Sequence, residues 1–535
     1  MREIKENIAR TTDQLISKIG NPVSPMVVLA ALESFGIREK DVFKDFGFVT
    51  LMDLSKHLYQ ELKNKDPKTL QNDNERAKKR RKEKQLPVSS YLWVKTRLFA
   101  QFYPLGIFHL LPIFLQVAAI IIFGYSLWTF IGFNIVQSTA VVAGVILGLI
   151  ISGGYVQVMG RQASFYWHHR EYVKAKMVID KIIGSGIKGI LYTFFALALI
   201  NFFLSLYPSS FVLITLFYAL LIGMLLLVMA PFHTIKKRWA ISLAVMLATG
   251  IALALHFYTS LNVYVTHWIG IASAILLSKA LLEYFFMGKK ARTVSNTTAP
   301  KQLMVIYQNY PYFFYGMLIY IFVFIDRILA WSADMMLTRQ FLLLYEKDYE
   351  IGMDLAILMF FMLAGVMEYA IAAFSKFMDV YQSNTPFSER NNFNRRFRSM
   401  YRGHIAILFI TALGTAGLIY LVITQPWGYE AQFGETLNQL SVKVCILGGI
   451  GYFFLTWGML NSLYLFTLNR PKNALNALGI ACLVNFGVGF LLSRFVSYEY
   501  SVWGMLVGAL VFAGLTIKET AHFFKRLDYH YYAAY

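Results

Sequence analysis

From Phe102 to the C-terminal tail the sequence returns repeatedly to apolar stretches of about 20 residues or more, the length that crosses about 30 Å of hydrocarbon. Twelve can be read, roughly at 103–130, 135–158, 185–206, 211–230, 239–258, 262–287, 305–333, 351–375, 404–424, 440–467, 473–493 and 499–520. Backbone N–H and C=O groups in lipid must be satisfied within the segment, so these stretches are expected to be helices. They are apolar on all sides instead of alternating, which excludes a membrane barrel. Composition agrees: 57% of the 535 residues are hydrophobic and 15% charged, against about 25% charged in soluble domains. Disorder, collagen and coiled coil are excluded on the same figures. Two cysteines, Cys445 and Cys482, both in apolar runs, cannot build a disulfide scaffold or a four-cysteine zinc site.

Charge divides the chain. Residues 1–100 hold 20 Lys/Arg and 13 Asp/Glu, and the rest hold 30 and 17. In the first part, Ser24-Pro25 opens a helical stretch that Gly36 stops, and VTLMDLSKHLYQELKN reads as another helix. No run there is long enough to span, and no cleavable signal opens the sequence. The expectation is an all-α integral membrane protein with three parts. Residues 1–90 form a small helical cytoplasmic domain with a basic linker, and 91–295 and 296–535 form six-helix lobes. The segments assigned to the cytoplasm and their edges hold 44 of the 50 cations, which sets both termini in the cytoplasm. The run of Arg76, Lys78, Lys79, Arg80, Arg81, Lys82 and Lys84 lies just before the first span. It is read as topology marker and anionic-lipid contact, worth about 1 kcal/mol per cation, in preference to a nucleic-acid site.

The halves resemble each other. Span one opens on Tyr103-Pro104 and span seven on Tyr310-Pro311; spans two and eight lead to Arg161 and Lys376, each with a tyrosine five residues on, Tyr166 and Tyr381. Six spans per half make such a repeat parallel, as in many secondary transporters. Pro104 and Pro311 are read as helix starters and the deeper Pro112 as a kink. Gly144-x-x-x-Gly148 and Gly153-Gly154 are read as close-packing positions.

Ionisable residues inside apolar spans are costly and mark function more often than structure. Four stand out: Asp326, Arg327, Asp354 and Glu368. Asp354, Phe361 and Glu368 fall near one helical face. Arg327 and Asp354 could form a structural ion pair or a gate. Glu368 has no evident cation nearby, which favours a functional role. Lys279 and Glu283 read as a local i, i+4 pair. His109 and His256 could relay protons, but hydrogen-bonded packing is the plainer reading. No phosphate-binding loop, zinc-protease helix or nucleophile elbow is present. The expectation is a non-enzyme with no cofactor and no metal site.

The segment YPYFFYGMLIYIFVFIDRILAW resembles the PelG family, the inner-membrane component of the Pel exopolysaccharide system. Tyr310, Pro311, Gly316, Asp326 and Trp331 fit that family's pattern, while Arg327 stands where it has lysine. The run from Tyr349 through Asp354, Ala364-Gly365, Tyr369 and Lys376 to Tyr381 is also similar, as is the exit Lys525-Arg526-Leu-Asp-Tyr529. The likeness covers roughly residues 100–535; the N-terminal extension departs from it. It implies the multidrug/oligosaccharidyl-lipid/polysaccharide (MOP) flippase fold, MATE-like, with two six-helix lobes around a V-shaped cavity in a bacterial cytoplasmic membrane. It also implies polysaccharide export in biofilm formation, alongside a cytoplasmic glycosyltransferase and other membrane components. On this reading Asp326 and Glu368 contact a cationic polymer or a coupling ion, with Arg327 and Asp354 as gate or pair. Tyr315, Tyr320 and Phe361 are candidates to stack on sugar rings, against plain core packing. Two alternatives stay open: a cation-coupled exporter of drugs or lipid-linked oligosaccharides, and a scaffold whose first domain recruits a cytoplasmic synthase.

Overall fold

The computed structural model describes residues 2–19, 22, 24–64, 88–108, 110–290, 302–333, 341–384, 390–426, 428–527 and 529. The basic run from Arg76 to Lys84 and His109 lie outside them. Four short helices come first: α1 (Arg2–Ile19), α2 (Pro25–Ser34), α3 (Glu39–Phe46) and α4 (Leu51–Asn64). Pro25 sits in the first turn of α2, where its missing N–H breaks no helical bond. Gly36, at φ +82°, turns the chain away after it. Leu15, Val28, Leu32, Val42, Leu54 and Leu58 close a core belonging to these helices alone.

The membrane part begins with α5 (Val88–Phe108) and α6 (Leu111–Phe123), one span bent by 54°. Pro112 lies in the first turn of α6; it has no N–H with which to continue the ladder of α5, so the chain breaks there. The remainder of the first lobe is α7 (Ile135–His168), α8 (Tyr172–Leu204), α9 (Ser209–Met229), the single turn α10 (Pro231–Thr234), α11 (Trp239–Tyr258) and α12 (Val263–Lys290). The second lobe has α13 (Gln302–Trp331), α14 (Lys347–Asn384), α15 (Arg390–Thr424), the short α16 (Tyr429–Phe433), α17 (Gln439–Thr467), α18 (Pro471–Phe495) and α19 (Ser501–Lys525). Among the described residues, 11 helices are long and apolar enough to cross a membrane, 12 if the bent pair is counted as one span.

Many helices outrun their apolar stretch. The 34 residues of α7 measure about 51 Å, well beyond the hydrocarbon. This corrects the reading of two prolines. Pro104 and Pro311 lie inside α5 and α13, not at helix starts, because α5 already begins at Val88 and α13 at Gln302.

Helix neighbours repeat between the lobes. In the first, α7 packs on α9, α9 on α12 and α11 on α12; in the second, α14 packs on α17, α17 on α19 and α18 on α19. Between lobes, α5 meets α14 and α13 meets α7. A shift of six spans exchanges those last two contacts, as a parallel repeat requires. Glycines permit this approach: a Cβ on Gly106 would lie 2.6 Å from the Gly365 Cα, and one on Gly316 2.5 Å from the Gly153 carbonyl oxygen. Gly144 and Gly148 do the same for α7 against Thr215 and Ala219 of α9. Both chain ends leave the bundle on one face, here the terminal face, where the Tyr529 hydroxyl donates to Glu33 of the first domain at 2.8 Å. The opposite face is called distal.

Candidate functional site

The last turns of α13 and the first turns of α14 meet at the distal end of the second lobe. There α13 presents Asp326, Arg327 and Trp331 to Tyr349, Glu350 and Asp354 of α14. The Arg327 guanidinium bonds Glu350, and reaches Asp354 at 2.9 Å. The Trp331 indole donates to the other Glu350 oxygen at 2.8 Å, and the Tyr349 hydroxyl donates to Asp326 Oδ2 at 2.7 Å. Asp326 is 0% exposed, Glu350 1% and Arg327 5%. Among the described residues Asp326 Oδ1 is buried with no side-chain partner, and so is Asn485 Oδ1 on α18, whose amide donates to the Phe322 carbonyl one turn below Asp326. On Tyr345, in the link, burial first and the charges of Glu350 and Asp354 next push the phenol above its ordinary range, so it stays a hydroxyl.

Charge counting leaves this cluster unbalanced. Two carboxylates, Asp326 and Glu350, are fully buried beside one guanidinium, and Asp354 adds a third carboxylate at the edge with 65% of its side chain exposed. An unbalanced buried charge is strongly disfavoured. The ionised set therefore calls for one more positive species, a proton or a small cation, and the free Asp326 Oδ1 is an acceptor for it.

Glu350 is the residue that sequence reasoning missed. EKDYE reads as a polar loop before an apolar run, but α14 already begins at Lys347 and carries Glu350 inward on its first turn. The expected Arg327–Asp354 pair is present, with Glu350 as the buried partner and Asp354 as the exposed one. Glu368 was thought to lack a cation. It has one: Arg238, at the start of α11 in the other lobe, donates to it at 3.1 and 3.2 Å. The structure thus splits the four charges, with three in the distal cluster and Glu368 at the lobe boundary. Phe361, between them on α14, is buried edge-on to Phe114 of α6 at 6.0 Å. Tyr315 is buried edge-on to Phe466, and Tyr320 presses on Gly153. Tyr315 and Phe361 are buried against these rings, while Tyr320 stays partly exposed.

Other expectations are redirected. Glu283 pairs with Lys176 of α8 at 2.5 Å, not with its own-helix neighbour Lys279. His256 stacks on Tyr125 at 4.7 Å, consistent with packing. The repeat-related cations Arg161 and Lys376 both cross to the first span of the opposite lobe. Arg161 lies 4.4 Å from the Tyr312 ring centre and donates to Asn469 at 2.8 Å. Lys376 lies 4.8 Å from the Phe102 ring centre. Together with Arg238–Glu368 they tie the lobes near the terminal face.

No family model matches the sequence, and neither does any curated protein. Solved structures do match. An outward-facing multidrug resistance MATE family transporter of the MOP superfamily is similar over 81% of this chain and 96% of its own, with TM-score 0.54 and 14% identity. A MATE structure in the bent conformation covers 81% and 96% at TM-score 0.54 and 13% identity. The Vibrio cholerae MATE transporter VcmN, solved as a mutant, covers 82% and 99% at TM-score 0.58 and 14% identity. At these identities the likeness establishes the fold. This chain is a multi-pass membrane protein of MATE-like fold with an added N-terminal helical domain.

Proposed function

We propose that the chain is a membrane transporter that exports an exopolysaccharide by relative movement of its lobes, driven by a proton or small cation taken up at Asp326. The observation that carries this reading is the unbalanced buried charge of Asp326, Arg327 and Glu350 within a MATE-like fold. A purely structural pair would need no free carboxylate oxygen; a coupling site needs one. The resemblance of residues 310–331 and 349–381 to PelG supports a polysaccharide cargo, with the terminal face cytoplasmic. The first domain, with its own core, is then positioned to meet a cytoplasmic glycosyltransferase. One structural neighbour is a multidrug resistance transporter, which favours a second reading, export of small cationic compounds by the same coupling.

Asp326→Asn removes the charge with almost no change of shape. In protein that still reaches the membrane at its normal level, it is expected to abolish polymer secretion. Normal secretion by Asp326→Asn would overturn the coupling assignment. Ethidium efflux in the same cells separates the cargoes, since loss of efflux with unchanged polymer selects the drug reading. Loss of secretion only on removing residues 2–64, with Asp326→Asn normal, selects the scaffold.

A further inference from the structure

We propose that residues 341–346 are a clasp that fastens the two lobes together at the distal face, and that Glu350 holds the clasp's own anchor. The clasp is neither helix nor strand, and three successive amides in it donate to alternate sides. Leu343 N–H donates to the Tyr207 hydroxyl at 2.6 Å and Tyr345 N–H to Thr139 Oγ1 at 2.9 Å, both in the first lobe. Between them Leu344 N–H turns the other way and donates to the Trp331 carbonyl at 3.1 Å, in the second lobe. The segment is thus stitched alternately to both.

Each receiving side is built in advance. Tyr207 is held by Asn201, which accepts its N–H at 2.9 Å and donates to its carbonyl at 3.0 Å. Its ring stacks on Phe211 at 4.5 Å, and Phe341 of the clasp covers both at 5.8 and 6.0 Å. Thr139 is fully buried near the start of α7, just after the Asn134–Gln137 capping box. On the other side, Tyr345 packs on Trp331 at 5.8 Å, and Trp331 is fixed through its indole to Glu350. Glu350 also binds Arg327, so the residue that completes the ion cluster is the one that steadies the clasp's anchor. A rearrangement of the cluster on taking up a positive species therefore reaches the lobe boundary through one side chain, Trp331.

The proposal rests on the transporter reading for its purpose, but its geometry is tested without transport. Spin labels at Ser260→Cys and Val496→Cys, in a chain with Cys445 and Cys482 replaced by alanine, report the distance between the distal ends of the lobes. The double variant Thr139→Val with Tyr207→Phe removes two hydroxyls and keeps the rings. Losing two hydrogen bonds is expected to shift the open-to-closed ratio about tenfold, read as a longer distance population. Trp331→Phe and Glu350→Gln are expected to shift it in the same direction, by less. An unchanged distribution in the double variant overturns the clasp. A shift there with none in Trp331→Phe and Glu350→Gln keeps the clasp and overturns Glu350's part in it. A shift in all of them, in a protein that moves neither polymer nor ethidium, sustains the clasp and removes the transport reading.

Discussion

At the distal end of the first lobe, the Tyr218 hydroxyl and His267 Nδ1 are hydrogen-bonded at 2.6 Å, Tyr125 donates to Thr266 at 2.9 Å, and Gln116 donates to Thr249 at 2.8 Å. No carboxylate stands in this set. At the same end of the second lobe, three carboxylates surround Arg327. The two lobes share a helix arrangement, yet one fills its distal polar positions with neutral groups, of which His267 Nε2 finds no partner among the described residues, and the other with charges that do not cancel. A neutral network adds rigidity and calls for no counter-charge. An uncancelled buried charge is disfavoured unless it takes up a proton or an ion, and on the transporter reading proposed above that uptake is what couples the cluster to its surroundings. The repeat supplies the frame; the asymmetry of its contents supplies the direction.

Arg327→Met tests the charged side most severely. It leaves Glu350 and Asp326 buried without a counter-charge, at a cost of about 3–5 kcal/mol. The expected outcome is a collapse of thermal stability in detergent, with part of it regained when Glu350→Gln is added. A fully stable Arg327→Met would mean that the cluster is already neutral. Tyr218→Phe tests the neutral side. It is expected to cost about 1 kcal/mol, visible as a small loss of thermal stability, and to leave secretion unchanged. Loss of secretion in that variant would place coupling in both lobes and dissolve the contrast. The smallest effect is expected at the terminal face, where Lys376→Gln removes one exposed cation–aromatic contact worth about 0.5–1 kcal/mol. A cysteine at Gln157, which lies against Gly316, should then react faster with a maleimide applied from that face. An unchanged labelling rate would show that Lys376 does not help to hold the lobes there.

The legible and the hidden parts of this chain differ in physical kind. The series of apolar spans and the close contacts of Gly144, Gly148 and Gly153 follow from local composition, because lipid leaves a segment few choices. The break at Pro112 was readable for the same reason. What stayed hidden depended on partners far along the chain. Glu368 and Arg238 lie 130 residues apart, and Lys176 and Glu283 107 apart, so no spacing rule joins them. Glu350 was lost differently: hydropathy marks where lipid begins, not where a helix begins. Since α14 starts before its apolar run, a residue read as loop became the buried centre of the cluster. Pro104 and Pro311 were misplaced by the same confusion of membrane edge with helix end.

The glycine contact between α7 and α13 also has a mechanical meaning. Gly316 touches Gly153 backbone to backbone, whereas Trp331, the clasp's anchor, stands 15 residues farther along the same helix, about 22 Å away. If that contact is the fulcrum, a rotation of roughly 10° moves the Trp331 end by about 4 Å over that arm. Such a displacement exceeds the reach of any hydrogen bond. The helix is a lever, and a few degrees at its short end decide whether the far end is fastened or free.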